Sequence, residues 1–140
     1  MNTEMALHVS FCEEFGITKA ELEVTKPSPT TSAYTAHLLE AAGSGDAAAT
    51  AVGILPCSWG YAEIGQMLKK RGLPKGQPLY GRWIETYASP EFAALAEWLR
   101  AFIDREARNL PPSRLGALEA LFMESSRFEH RFWDAAYRLE

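Results

Sequence analysis

A proline inside a helical pattern is the strongest single constraint in this sequence. The stretch Ile54-Leu55-Pro56-Cys57-Ser58-Trp59-Gly60-Tyr61-Ala62-Glu63-Ile64-Gly65 reads as one helix with Pro56 in its interior. Pro56 offers no N–H to the carbonyl of Val52, and its ring crowds that carbonyl, so a kink is expected there. Cys57 follows at once and Tyr61 comes four residues later, which puts thiol and phenol on one helix face. Ile54, Ile64 and Leu68 share that phase, giving an inward stripe at i, i+3, i+7, i+10 and i+14. Free cysteine packs as a small hydrophobe in most proteins, so periodicity alone leaves Cys57 open to both a packing role and a chemical one.

The rest of the chain reads as helices. Residues 3–15 form an amphipathic segment with Met5, His8, Phe11, Cys12 and Phe15 on its apolar side, closed by Gly16. Thr18 caps a short turn through Glu23. Lys26-Pro27-Ser28-Pro29-Thr30-Thr31 reads as a loop. A second helix is expected from about Ser32 to Ala42, with Tyr34, Leu38 and Ala41 aligned. Asp46 is a candidate N-cap for the long helix, which ends near Gly72 with Lys69, Lys70 and Arg71 in its last turn. Residues 73–81 read as a loop before a short helix carrying Trp83, Ile84 and Tyr87. Ser89-Pro90-Glu91 has the cap, first-turn proline and early acid of a helix start. That helix runs to about Arg108, with Phe92, Leu95, Leu99, Phe102 and Ile103 inward. A last helix spans roughly 113–138. No strand pattern or repeat is visible, and the expected class is all-α over a single domain, residues 1–140.

The last helix has an inward stripe of Leu118, Phe122, Ser125 or Ser126, Glu129, Trp133 and Ala136. Glu129 lies in its middle, and a carboxylate is rarely buried without a partner. The serines one turn earlier are expected to leave space beside it. The residues alone leave two readings open: a structural hydrogen bond to another helix, or proton transfer with a carboxyl raised by burial. His8, His37 and His130 show no metal-ligand spacing and read as packed or surface residues. Glu13, Glu14 and Glu63 read as solvated acids. The aromatic set Tyr34, Tyr61, Tyr87, Phe128, Phe132, Trp59, Trp83 and Trp133 reads mostly as core, although such walls also suit a flat heteroaromatic ligand.

Composition bounds the function classes. The chain has 140 residues and a net charge of −4. An acidic balance without a basic helix argues against direct contact with a phosphate backbone. No apolar run is long enough to cross a bilayer, and the N-terminus lacks the basic start and apolar run of a signal peptide. Two cysteines without an export signal suggest a cytoplasmic location and free thiols.

The run Leu55-Pro56-Cys57-Ser58-Trp59-Gly60-Tyr61-Ala62-Glu63-Ile64-Gly65 resembles the central motif of the TenA / thiaminase II family. So do Trp83-Ile84-Glu85-Thr86-Tyr87, Ser89-Pro90-Glu91-Phe92 and the closing Phe128-Glu129-His130-Arg131-Phe132-Trp133-Asp134-Ala135-Ala136-Tyr137. His8-Val9-Ser10-Phe11-Cys12 and Ala33-Tyr34 are also similar, with order and spacing kept over nearly the whole chain. The resemblance implies a haem-oxygenase-like helical bundle without haem, metal or other cofactor. It implies an aminopyrimidine hydrolase in thiamin pyrimidine salvage, acting on an aminopyrimidine or thiamin breakdown product, and a homo-oligomer. By resemblance, Cys57 is the nucleophile, Glu129 the acid–base carboxylate, Tyr34 and Tyr61 lie close to the thiol, Tyr87 meets the substrate and Phe132 forms a wall. The chain starts near the family's fourth helix, so the expectation is a bundle lacking its first helices, without the aspartate and aromatic wall they supply. Two other functions fit such a chain: a pyrimidine-binding or assembly partner, and a transcriptional regulator that does not contact DNA.

Overall fold

The computed structural model describes residues 2–139. Their order is α1 (Asn2–Glu14), α2 (Lys19–Val24), α3 (Pro29–Gly43), α4 (Ala47–Arg71), α5 (Pro78–Tyr87), α6 (Pro90–Ala107) and α7 (Pro112–Arg138). No strand occurs among the described residues. The all-α bundle expected from the sequence is what forms.

α4 is the axis of the bundle, packing against α3, α5, α6 and α7. Its first half presents Ala48, Ala49, Ala51 and Val52, all buried. Small side chains let α7 approach closely, and Ala48, Ala49 and Val52 meet Leu118 there. Ala51 and Leu55 meet Leu99 of α6, with Trp59, Phe102 and Phe122 closing the contact. The expected stripe is therefore rotated. Leu55 is buried, whereas Ile54 is 37% exposed. One residue is a rotation of about 100° on a helix, so the face meeting α6 and α7 leaves Cys57 and Tyr61 on its flank. Pro56 lies inside α4, as the sequence indicated.

The ends of the helices follow the capping chemistry. Thr18 and Glu21 form a reciprocal capping box on α2. Asp46 accepts from the Ala48 and Ala49 amides at 2.8 and 3.1 Å, and its other oxygen takes the Arg114 guanidinium of α7. One side chain thus starts α4 and ties it to α7. Two expectations are corrected. α3 begins at Pro29 rather than near Ser32, because Ser28 caps it and the proline takes the first helical position. α5 begins at Pro78, inside the expected 73–81 loop, where the proline again takes the first helical position but no side chain caps it.

Some residues expected inward lie at the surface. Leu95 and Met5 are exposed, and Phe15 is 70% exposed. α6 turns Ala96 and Leu99 to α4, which puts Leu95 outside that contact. α1 has none of the broad helix–helix packings that join the other long helices. On α7, Trp133 and Ala136 are exposed while Leu118 and Ser125 are buried, so only the first part of that stripe faces the core.

Candidate active site

Four helices bring one cluster together. α4 supplies Cys57 and Tyr61, α3 supplies Tyr34, α5 supplies Tyr87 and α7 supplies Glu129. Tyr34 is buried, and its hydroxyl donates to Glu129 Oε1 at 2.6 Å. The second oxygen, Glu129 Oε2, is buried and makes no hydrogen bond among the described residues. The Tyr34 ring is held by near-parallel stacking on Phe128, with centroids 5.4 Å apart. His37, one helical turn beyond Tyr34, lies 4.9 Å from the same Phe128 ring. Its Nε2 lies 2.8 Å from Ser125 Oγ, and Ser125 is 0% exposed. The expected space beside Glu129 is therefore filled on the Ser125 side. A serine is small enough to let α3 in, and its hydroxyl is satisfied by the histidine that arrives.

Tyr61 lies at the centre of an aromatic group. Its centroid is 5.0 Å from Tyr87, 5.4 Å from Trp133 and 5.9 Å from Trp83. Tyr87, 1% exposed, is the most enclosed ring of the site. Phe92 meets its edge and Trp83 lies 4.5 Å away. Gly65 makes this possible: a Cβ there would stand 2.6 Å from the Tyr87 carbonyl carbon. The Tyr87 hydroxyl donates to Glu4 Oε1 at 2.6 Å and lies 3.2 Å from His8 Nε2.

Burial dominates the electrostatics. It pushes the Cys57 thiol up to about 12, reinforced by the negative charges of Glu129 and Glu4. It also raises Glu129 above the usual carboxylate range, partly offset by the Tyr34 hydroxyl and the neighbouring thiol. Tyr34, Tyr61 and Tyr87 are all raised, first by burial and then by the carboxylates. A phenol held neutral remains a hydrogen-bond donor. The resting site thus holds protonated donors around a carboxyl group with one uncommitted oxygen. That set can move a proton between sulfur and carboxylate. It presents no group of three or more histidine, cysteine or acidic ligands suited to a metal among the described residues.

Beyond Trp83 and Trp133 opens an apolar cavity of about 800 Å³, lined also by Phe11, Ile64, Leu68 and Tyr80. Cys57 and Glu129 do not line it. Of the aromatic group, Trp83 and Trp133 line this cavity.

Of the residues singled out in the sequence, Cys57, Glu129, Tyr34, Tyr61 and Tyr87 come together. Phe132 is half-buried, and no ring contact joins it to the group among the described residues. Its neighbour Trp133 makes that contact instead. Sequence reasoning gave no site role to Glu4, His8, His37 or Ser125. The signal available for Glu4 and His8 was their i, i+4 spacing, which puts a carboxylate and an imidazole on one face of α1.

An aminopyrimidine aminohydrolase from Halalkalibacterium halodurans is 43% identical over 139 residues, which is 98% of this chain and 61% of that protein. Another from Bacillus subtilis is 36% identical, over 98% of this chain and 57% of that protein. This chain therefore spans about three fifths of the length of these curated relatives. A solved TenA homologue from P. horikoshii superposes with a TM-score of 0.83 at 30% identity, covering 97% of this chain and 62% of that one. Residues 1–139 match the TENA/THI-4/PQQC family, and the chain belongs to that family.

Proposed function

We propose that this chain carries the thiol and the acid–base carboxylate of an aminopyrimidine hydrolase, with Cys57 as nucleophile and Glu129 as proton carrier. One observation carries this reading. Tyr34 occupies a single oxygen of Glu129 and leaves the other buried and unpartnered, in a carboxyl group that senses the Cys57 thiol. An uncommitted buried oxygen is costly unless something is to bind or protonate there.

The chemistry follows from that arrangement. Sulfur bonds to an electron-poor ring carbon while its proton passes to Glu129. The carbon–nitrogen bond to the amine then breaks, and Glu129 returns the proton to the departing nitrogen. Water adds at the vacated carbon and yields a proton to Glu129. The sulfur–ring bond breaks last, and that proton regenerates the thiol. The net change is amine plus water to alcohol plus ammonia. Tyr34 holds Glu129 in place, and Tyr61 and Tyr87 supply neutral donors beside the ring. The two free cysteines fit a reducing cytoplasm. Among the described residues no helix is long and apolar enough to cross a membrane.

The test is ammonia release from an aminomethylpyrimidine by the 140-residue chain and by Cys57→Ala. Loss of release in the variant is expected; equal release would refute the role of Cys57. A pyrimidine-binding role without turnover is favoured by one feature, the thiol held near 12 and so protonated at rest. Pyrimidine binding that persists in both proteins without ammonia would establish that reading. The expected homo-oligomer has a face to bury: Phe15, Met67, Tyr80 and Trp133 are exposed around the apolar cavity. Sedimentation as a monomer at all concentrations would rule that out.

A further inference from the structure

We propose that Glu4 and His8 of α1 are positioning residues of this site, fixing the Tyr87 hydroxyl and placing a second negative charge beside the Cys57 thiol. The inference deepens the hydrolase reading and rests on it for its catalytic meaning.

The hydrogen-bond directions follow from proton counting. A neutral tyrosine has one hydroxyl proton, and Tyr87 gives it to Glu4 Oε1 at 2.6 Å. The 3.2 Å contact with His8 Nε2 must then run the other way, from an imidazole N–H into the phenol oxygen. Imidazole, phenol and carboxylate therefore form one directed sequence. The ring between them cannot turn aside, because it is 1% exposed and enclosed by Tyr61, Trp83 and Phe92.

This arrangement repeats the one on α7. Tyr34 donates to Glu129 at 2.6 Å and Tyr87 donates to Glu4 at 2.6 Å. Both carboxylates act on the thiol, Glu129 more strongly. The groups that interact electrostatically with Cys57 are Glu129 of α7, Tyr34 of α3, Tyr61 of α4, Tyr87 of α5 and Glu4 of α1. Neither carboxylate forms an ion pair among the described residues. A tether for α1 alone would not need this pairing. Arg82 already reaches Glu14 and lies 4.9 Å above the Phe11 ring.

The experiment reads the thiol rather than turnover. In a Cys12→Ser background, iodoacetamide alkylation of Cys57 is followed at neutral and mildly alkaline pH. Glu4→Gln keeps the shape and removes the charge, and should speed alkylation about threefold at each pH, because a lowered thiol value raises the thiolate fraction while lower nucleophilicity takes back part of that gain. Glu4→Asp keeps the charge and should remain as slow as the parent. Equal acceleration in both variants would mean that α1 merely covers the thiol, and would overturn the proposal. So would a parent-like rate in Glu4→Gln. A second measurement needs no variant: ¹⁵N NMR of the histidines should find His8 protonated at Nε2, and an Nε2 without its proton would overturn the positioning. Absence of hydrolysis in the parent would refute the function proposed above, while the alkylation rates would still decide the role of Glu4.

Discussion

Tyr34 donates its hydroxyl to Glu129 Oε1 at 2.6 Å, while the partner oxygen of the same carboxyl group has no hydrogen bond among the described residues. In the proposed function the two oxygens are divided between holding and reacting. Tyr34→Phe tests that division. Burial raises Glu129, and the Tyr34 bond works against the rise. Without the phenol the carboxyl group should titrate still higher, so the limb of the pH–rate profile that needs ionised Glu129 should move to higher pH. A hydrogen bond to a charged group is worth about 1.5–3 kcal/mol, so kcat/KM should fall roughly 10–100-fold. Steady-state rates across pH check this. An unmoved limb would show that the bond does not govern Glu129.

Glu129→Gln has an expected effect on stability as well as on rate. The folded-state pKa of Glu129 is raised, so the folded chain holds this proton more tightly than the unfolded one. Its contribution to stability is fully present below the unfolded carboxylate value and is lost as pH rises through the folded one. Glutamine does not titrate and can still accept from Tyr34. Thermal melts from acid to neutral pH should therefore show a smaller loss of stability for Glu129→Gln than for the parent. Loss of the acid–base group should also lower the rate by about 10²–10⁴.

The legible part of the chain was the part governed by local rules. Thr18, Asp46 and Ser89 marked helix starts because capping is decided within a few residues. The Cys57–Tyr61 pair was legible because i, i+4 neighbours share a helix face. Ile54 was misplaced because the packing of Ala48, Ala51 and Leu55 against α6 and α7 decides which face turns inward, and periodicity does not contain the neighbours. Glu4 and His8 escaped for a similar reason: their partner Tyr87 lies about eighty residues away. Ser125 was read as space because a serine's volume is visible in sequence and its hydrogen-bond partner is not.

Ser125→Ala isolates the contact that closes the Glu129 side of the site. Ser125 is fully buried, and its hydroxyl lies 2.8 Å from His37 Nε2. Alanine removes the oxygen with little change in volume and leaves the imidazole nitrogen without that partner. The expected cost is about 1–3 kcal/mol in denaturant unfolding. His37 also packs on Phe128, which supports Tyr34. The variant should therefore lose rate through a less well-held Glu129, with the ligand KM less affected than kcat. Unchanged unfolding would mean that water replaces the hydroxyl without loss.

Gly65 and Gly60 lie on the same helix and should respond in opposite ways to one methyl group. A Cβ at Gly60 meets nothing within 4 Å. Replacing glycine by alanine inside a helix then removes backbone freedom from the unfolded chain, with an expected gain of about 0.5–1 kcal/mol. At Gly65 the same Cβ would lie 2.6 Å from the Tyr87 carbonyl carbon and 2.8 Å from the Ala88 nitrogen. These are backbone atoms, so no side-chain rotation relieves the clash, and the end of α5 must move away from α4. Overpacking of this kind costs about 1–3 kcal/mol, which exceeds the propensity gain over most of that range. The displaced segment carries Tyr87, whose hydroxyl position depends on Glu4 and His8. Gly65→Ala should thus melt earlier than the parent and turn over more slowly, while Gly60→Ala should melt later. Paired melting curves and rates for the two variants decide it. Equal stabilisation by both would show that the close approach of α4 and α5 at Tyr87 is not required by the fold.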